Sequence, residues 1–172
     1  MQDPALVHAK NDDGLSILLY SAHAGHHSGQ QRPVEFLLSR GAPLDLHTAS
    51  ALGFSEQVRH WLHQRPERIN EIGPWGRTPL HWAASGGHSA LAEWLLGHGA
   101  HLEAADHWGC TPLHLAAELG RRDLVSLFVR ANANVHAQLK NGKSILHLAA
   151  QSGDVTIVEA LLRDKARLDV FT

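Results

Sequence analysis

The chain has 172 residues, enough for one domain or one short array; with 44% apolar and 19% charged residues it can bury a core. Fifteen basic against 17 acidic residues leave a net charge of -2, which gives no global electrostatic case for a nucleic-acid or membrane-surface binder. A single cysteine, Cys110, excludes an internal disulfide framework and a Cys-based zinc site. No apolar run approaches the roughly 20 residues of a membrane helix, and Met1 to Asn11 lacks the charged and apolar parts of a secretory signal, so a cytoplasmic protein is expected.

In chain order, Ala5 to Lys10 matches the later stretch Ala133 to Gln138 and reads as the tail of a preceding unit. Gly14 to Ala22 predicts a helix capped by Ser16, Gly25 to Arg32 an enlarged loop, and Val34 to Leu38 a second helix closed at Gly41. Leu46 to Gly53 and Glu56 to His63 predict the next pair, ending near Pro66. Three segments then recur in phase: Thr78-Pro79-Leu80-His81-Trp82-Ala83-Ala84, Thr111-Pro112-Leu113-His114-Leu115-Ala116-Ala117 and Ser144-Ile145-Leu146-His147-Leu148-Ala149-Ala150, each 33 residues after the last. Threonine or serine offers a helix cap, and proline at the next position loses no hydrogen bond there. From Leu80, the residues Ala83, Ala84 and Gly87 fall on one helical stripe of small groups that lets a neighbour approach closely. Gly87, Gly120 and Gly153 end these helices, and Gly99 and Asn132 end the helices that follow, in the left-handed conformation. Arg65 and Lys165 stand at the equivalent place in two units, whose helix ends are expected to differ.

These segments resemble the ankyrin repeat, whose Thr-Pro-Leu-His-x-Ala-Ala signature recurs at a period of 33. The resemblance implies an all-α solenoid of about five helix-turn-helix repeats, each with a short β-turn finger. Residues 1–172 then form a single ankyrin-repeat domain with repeats near 11–45, 46–72, 73–105, 106–138 and 139–172, and 1–10 as the remnant of a preceding one. Only 28 residues separate Leu19 from His47, so repeat two lacks about nine residues of finger, and the groove is expected to be interrupted there. Asp154, Glu159, Arg163, Asp164, Lys165, Arg167 and Asp169 are expected to give repeat five the polar outer face that an end repeat needs.

In this family the repeated histidine ties adjacent fingers together, which makes His47, His81, His114 and His147 structural. His23, His26 and His27 around the enlarged loop, and His60 with His63 on one helix face, have spacings that suit zinc, nickel or copper. No acid or thiol nearby completes either set, and solvated histidines are expected. No nucleophile elbow, phosphate-binding glycine loop or His-Glu-x-x-His helix is present. Cys110 begins a helix with His107 three residues before it, but it is read as a small exposed finger residue rather than a nucleophile. No catalytic residue, cofactor, metal or small-molecule substrate is expected.

The resemblance implies contact positions at the finger tips and in the last turn of each first helix. By position these are Asp13 and Leu15, then Trp75 and Arg77, then Trp108, Cys110, Glu118 and Leu119, then Lys140 and Lys143. They run from acidic through aromatic to basic, an order that would orient an elongated partner. Trp75 and Trp108 hold the same place on neighbouring fingers and are expected to form one platform, with Arg77 beside them as a hot spot. The expected function is non-enzymatic: a monomeric scaffold that binds a partner protein, of unidentified kind, through its concave, finger-lined face, without nucleic acid or membrane. A regulatory or targeting segment of a larger enzyme or channel is one alternative, and a histidine-based metal-binding protein is a second.

Overall fold

Each Ser/Thr-x-Leu-His segment starts a helix through a two-sided cap. Thr78 Oγ1 lies 2.9 Å from Nδ1 of His81, and the backbone N–H of Thr78 donates to that same nitrogen at 3.2 Å, at the start of α5 (Pro79–Gly86). The imidazole thus does the work that glutamate does in the common capping box. Thr111 with His114 opens α7 (Pro112–Glu118) in the same way, and Ser144 with His147 opens α9 (Ile145–Ser152). Asp45 caps α3 (Leu46–Leu52) by accepting from the N–H of Thr48 at 2.8 Å.

The computed structural model describes residues 7–28 and 32–168. The described chain is a stack of helical hairpins. Inner helices α1 (Ile17–Ser28), α3, α5, α7 and α9 pack successively on one another. Each packs on its own outer helix: α2 (Arg32–Ser39), α4 (Ser55–Gln64), α6 (Ser89–Gly97), α8 (Arg122–Arg130) and α10 (Val155–Leu168). No helix among the described residues is long and apolar enough to cross a membrane.

One element departs from expectation, and the helix ends at Arg65 and Lys165 differ from the glycine-ended ones as expected. The backbone of Gly25 to Ser28 continues α1 instead of opening a loop, and 29–31 lie outside the described residues. Arg65 leaves the helix at φ -139°, not in the left-handed region, because a 3₁₀ turn over Pro66–Asn70 takes the chain on. Where Lys165 replaces the glycine, α10 simply continues to Leu168. The expected left-handed asparagine is observed, with Asn132 at φ 64°.

One core runs from the second unit to the fifth. Leu80, Leu91, Leu95, Leu113, Leu124 and Phe128 are fully buried in it, and the small pairs Ala83-Ala84 and Ala116-Ala117 let the inner helices close up. The first unit has a separate cluster of Leu18, Val34, Leu37 and Ala42. The polar end face expected of repeat five is mixed among the described residues, since Glu159 and Arg163 are exposed but apolar groups are exposed with them. Leu146 and Leu162 are exposed there, whereas Asp154 is bound to Arg122 and Glu159 to Arg163. Asp169 lies outside the described residues, as do the side chains of Asp164, Lys165 and Arg167.

A second set of inter-unit ties, not read from the sequence, lies at the turn between inner and outer helices. His88 Nε2 bonds the carbonyl of Ala51 at 2.9 Å, and at the same position one unit later Arg121 Nη2 donates to the carbonyl of Ser85 at 3.4 Å. The His88 ring fills the space a side chain would need at Gly86, where an added Cβ would lie 2.4 Å from the ring and 2.5 Å from the Ala51 oxygen. Gly86→Ala is therefore expected to destabilise the fold by about 1–3 kcal/mol. Gly97→Ala, with nothing within 4 Å, should be neutral or stabilising by up to about 1 kcal/mol. Urea unfolding of the two variants checks the contrast.

Candidate functional site

The fingers are short two-armed turns, and a side-chain acceptor shapes two of them. Asn11 Oδ1 takes the N–H groups of Asp13 and Leu15 in the first finger. Asp106 Oδ1 takes those of Trp108 and Cys110, both at 2.9 Å, in the fourth unit's finger. In the third unit this position is Gly73, against which the His47 ring is packed, and no side chain can serve. The turn there puts Trp75 in the left-handed region at φ 62°, an uncommon state for a bulky residue. Adjacent fingers then pair by backbone: His107 N–H donates to the Trp75 carbonyl at 3.0 Å, and Lys140 N–H to the Trp108 carbonyl at 2.9 Å.

At the centre lies a buried ion pair. Arg77 Nε donates to Asp106 Oδ2 at 3.0 Å, with the two side chains 8% and 0% exposed. Three indoles surround the guanidinium, its carbon lying 5.1 Å from the ring centre of Trp75, 5.2 Å from Trp82 and 6.0 Å from Trp108. Trp75 stacks on Trp82 at 5.7 Å and meets Trp108 edge-on at 6.0 Å and 68°. Trp75 Nε1 also lies 3.4 Å from Asp13 Oδ2, and the His23 ring stands edge-on to Trp75 at 5.1 Å.

This arrangement corrects several sequence expectations. Arg77 is not a surface hot spot but an internal strut between two fingers. Cys110 is buried rather than exposed, because Asp106 draws its backbone inward. Burial, followed by the nearby Asp106 charge, pushes its thiol up to about 12, the opposite of an activated nucleophile. Leu15 is also buried, among Leu19, Ala22, Ala51 and Trp82. The two indoles do not form a flat platform; Trp75 is partly enclosed and Trp108 stands 51% exposed. The expected gap at the fingerless unit is filled by Trp82, Trp75 and His23, across which the first finger reaches the third unit.

The other expected contact residues keep their places on the surface. Asp13, Glu118, Lys140 and Lys143 are exposed, and Leu119 is half-buried. His107 joins them, its ring lying over Gly76, where an added Cβ would be 2.5 Å away. Among the described residues no group of three or more histidine, cysteine or acidic side chains could hold a metal ion. His26 and His27 lie outside the side chains described. His63 Nδ1 is used on the Arg59 carbonyl, and His60 Nε2 on Gln64.

Two of the four repeated histidines tie their helix to the backbone that follows, His47 through Nε2 to the Glu71 carbonyl at 3.0 Å and His81 to Cys110, whereas Nε2 of His114 has no hydrogen-bond partner among the described residues. His81 accepts at Nδ1 from Thr78 and bonds the Cys110 carbonyl through Nε2 at 3.0 Å, a pattern that requires the neutral Nε2–H tautomer. Burial holds its pKa down near about 4, against the raising effect of the Cys110 carbonyl; burial also lowers His88 and His114. A base whose folded pKa lies below its unfolded value of 6.5 contributes fully above that pH and loses stability as pH falls. Between pH 6.5 and about 4, His81 alone is expected to remove about 3 kcal/mol. Urea midpoints measured across that window check this, and His81→Gln should flatten the profile.

Removing one partner of the buried pair leaves an uncompensated charge. Asp106→Ala is expected to destabilise by about 3–5 kcal/mol, and Arg77→Met with Asp106→Leu by clearly less than the two single changes together. Thermal unfolding of Asp106→Ala, and of Arg77→Met and Asp106→Leu singly and together, measures the loss and the coupling.

Compared with known proteins, residues 46–138 and 106–172 match a family model described as ankyrin repeats in three copies. No curated protein matches the chain.

Proposed function

The chain belongs to the ankyrin-repeat family, whose members are generally protein-interaction modules and typically non-catalytic, and from that premise we propose that it is a non-enzymatic module that docks a partner protein on its finger-lined face. The observation that carries this reading is Trp108. It is a half-exposed indole held edge-on by Trp75 and fixed at its backbone by Asp106 and by Lys140. A large apolar side chain that is already immobilised gives up little entropy on binding, the usual property of an interface anchor. Around it stand groups of both signs, Glu118 on the end of α7 and Lys140 and Lys143 on the next finger, which orient a partner rather than add much affinity.

Trp108→Ala and Glu118→Lys are expected to reduce capture of the partner at least about tenfold, while Glu93→Lys on the outer helix α6 leaves it unchanged. Quantitative affinity purification with the wild-type and variant chains reads this out, with far-UV circular dichroism as the check on folding. Equal recovery of every protein by wild type and Trp108→Ala would reject the finger row as the docking face.

A further inference from the structure

Exposure assigns a direction to each inner-helix position. The position of Trp82, Leu115 and Leu148 is buried in those three units but 58% exposed in the first, where Tyr20 holds it. The position of Leu18, Leu80 and Leu113 is buried but 37% exposed in the fifth, where it is Leu146. The first position therefore faces the preceding unit and the second the following one. Tyr20 and Ile17 form an open head face, and Leu146 and Leu162 an open tail face.

The polar ties show the same two halves. Inside the stack, a finger N–H donates to the carbonyl of the finger before it, as His107 does to Trp75 and Lys140 to Trp108. The Asp12 N–H at the head and the Asn141 carbonyl at the tail are the matching groups, and neither bonds another group among the described residues. His81 Nε2 reaches the Cys110 carbonyl, which also accepts from Asp106 N–H. Among the described residues Nε2 of His147 at the tail bonds no carbonyl, as is true also of Nε2 of His114 inside the stack, while at the head the Leu15 carbonyl accepts from Asn11 N–H alone. The exposed finger charges are complementary as well, Asp12 at the head against Lys140 and Lys143 at the tail, whereas Asp13 is turned to Trp75 of the third unit.

We propose that the tail face of one copy of this chain stacks on the head face of a second copy, continuing the internal repeat interface across the junction. Leu146 packs under Tyr20 and Ile17, His147 Nε2–H donates to the Leu15 carbonyl, and Asp12 N–H donates to the Asn141 carbonyl. The two lysines lie on the side of Asp12. The contact is heterologous, so it leaves one head and one tail free and builds open linear chains rather than closed dimers. Its apolar contact uses the ends of the stack and not Trp108; Lys140 and Lys143 alone are shared with the partner-docking reading, and the variants that test it leave both unchanged.

Sedimentation velocity of the whole chain over about a hundredfold range of concentration tests this by mass action. The wild-type weight-average mass should rise past that of a dimer and fall back with added salt. Tyr20→Glu blocks only the head and Leu146→Glu only the tail; both sites are exposed, so both variants should keep the wild-type helical spectrum. Each alone should need at least about tenfold more protein to associate, and an equal mixture should form a 1:1 dimer through the one intact head and tail. A wild type that stays monomeric throughout would overturn the proposal. So would a single variant that associates as well as wild type, or a mixture that stays monomeric.

Discussion

The buried pair between Arg77 and Asp106 is the constraint on which the finger row depends. A finger has no core of its own, and its backbone is held only where a side chain or neighbour satisfies it. Asp106 does so on two sides: one oxygen shapes its own finger through Trp108 and Cys110, and the other receives Arg77 from the finger before. Desolvating a guanidinium is expensive, and here it is offset by one charge-assisted bond and three indole faces. By turning Cys110 inward the same carboxylate presents the carbonyl that His81 binds, and His81 caps α5 with Thr78. Helix start, inter-unit tie and finger shape are thus one connected network, which is why its members are buried and one thiol within it is inert.

The shortened second unit is compensated by bulk. Its neighbours place tryptophan where later units have leucine: Trp82 stands at the position of Leu115 and Leu148. The larger side chain, with Trp75 and His23, occupies the space that a missing finger vacates, so the first unit makes direct contact with the third. His88 does a similar job at the other end of the inner helix, where Gly53 and Gly86 leave room for its ring. A solenoid is stabilised by nearest-neighbour interfaces, and this one retains them by reaching past a small unit with aromatic groups.

What the sequence made legible was local and periodic. The caps at Thr78, Thr111 and Ser144, the left-handed ends and the buried leucines follow from residues within one turn of each other, repeated at a fixed spacing. The sites of Arg77 and Cys110 were not legible in that way, because the side to which a finger residue points is decided by Asp106, which lies 29 residues from Arg77. A signal was nevertheless present. Asn11-Asp12-Asp13-Gly14 and Asp106-His107-Trp108-Gly109 share an acceptor three residues before glycine, and Gly73-Pro74-Trp75-Gly76 does not. The tryptophan at Trp82 likewise marked a void to be filled rather than an ordinary core position. Trp108 was placed correctly on the surface, where its own finger, held by Asp106, and Trp75 and Arg77 of the finger before leave it half exposed.

The repeat geometry that stabilises the chain also creates its two kinds of free surface. Stacking aligns the finger tips into a row, so any residue at the tip that is not consumed by a neighbour, as Arg77 and Cys110 are, stands beside its counterparts from other units. Trp108 lies between these states, with one face over the buried guanidinium and the other in solvent. The docking proposed at the finger row would therefore reach the junction between the third and fourth units through Trp108, whose ring centre lies 6.0 Å from the Arg77 guanidinium carbon. The ends of the stack obey the converse logic: each carries half of the interface that the third, fourth and fifth units share, and its exposed apolar groups are the ones that the proposed second copy would cover.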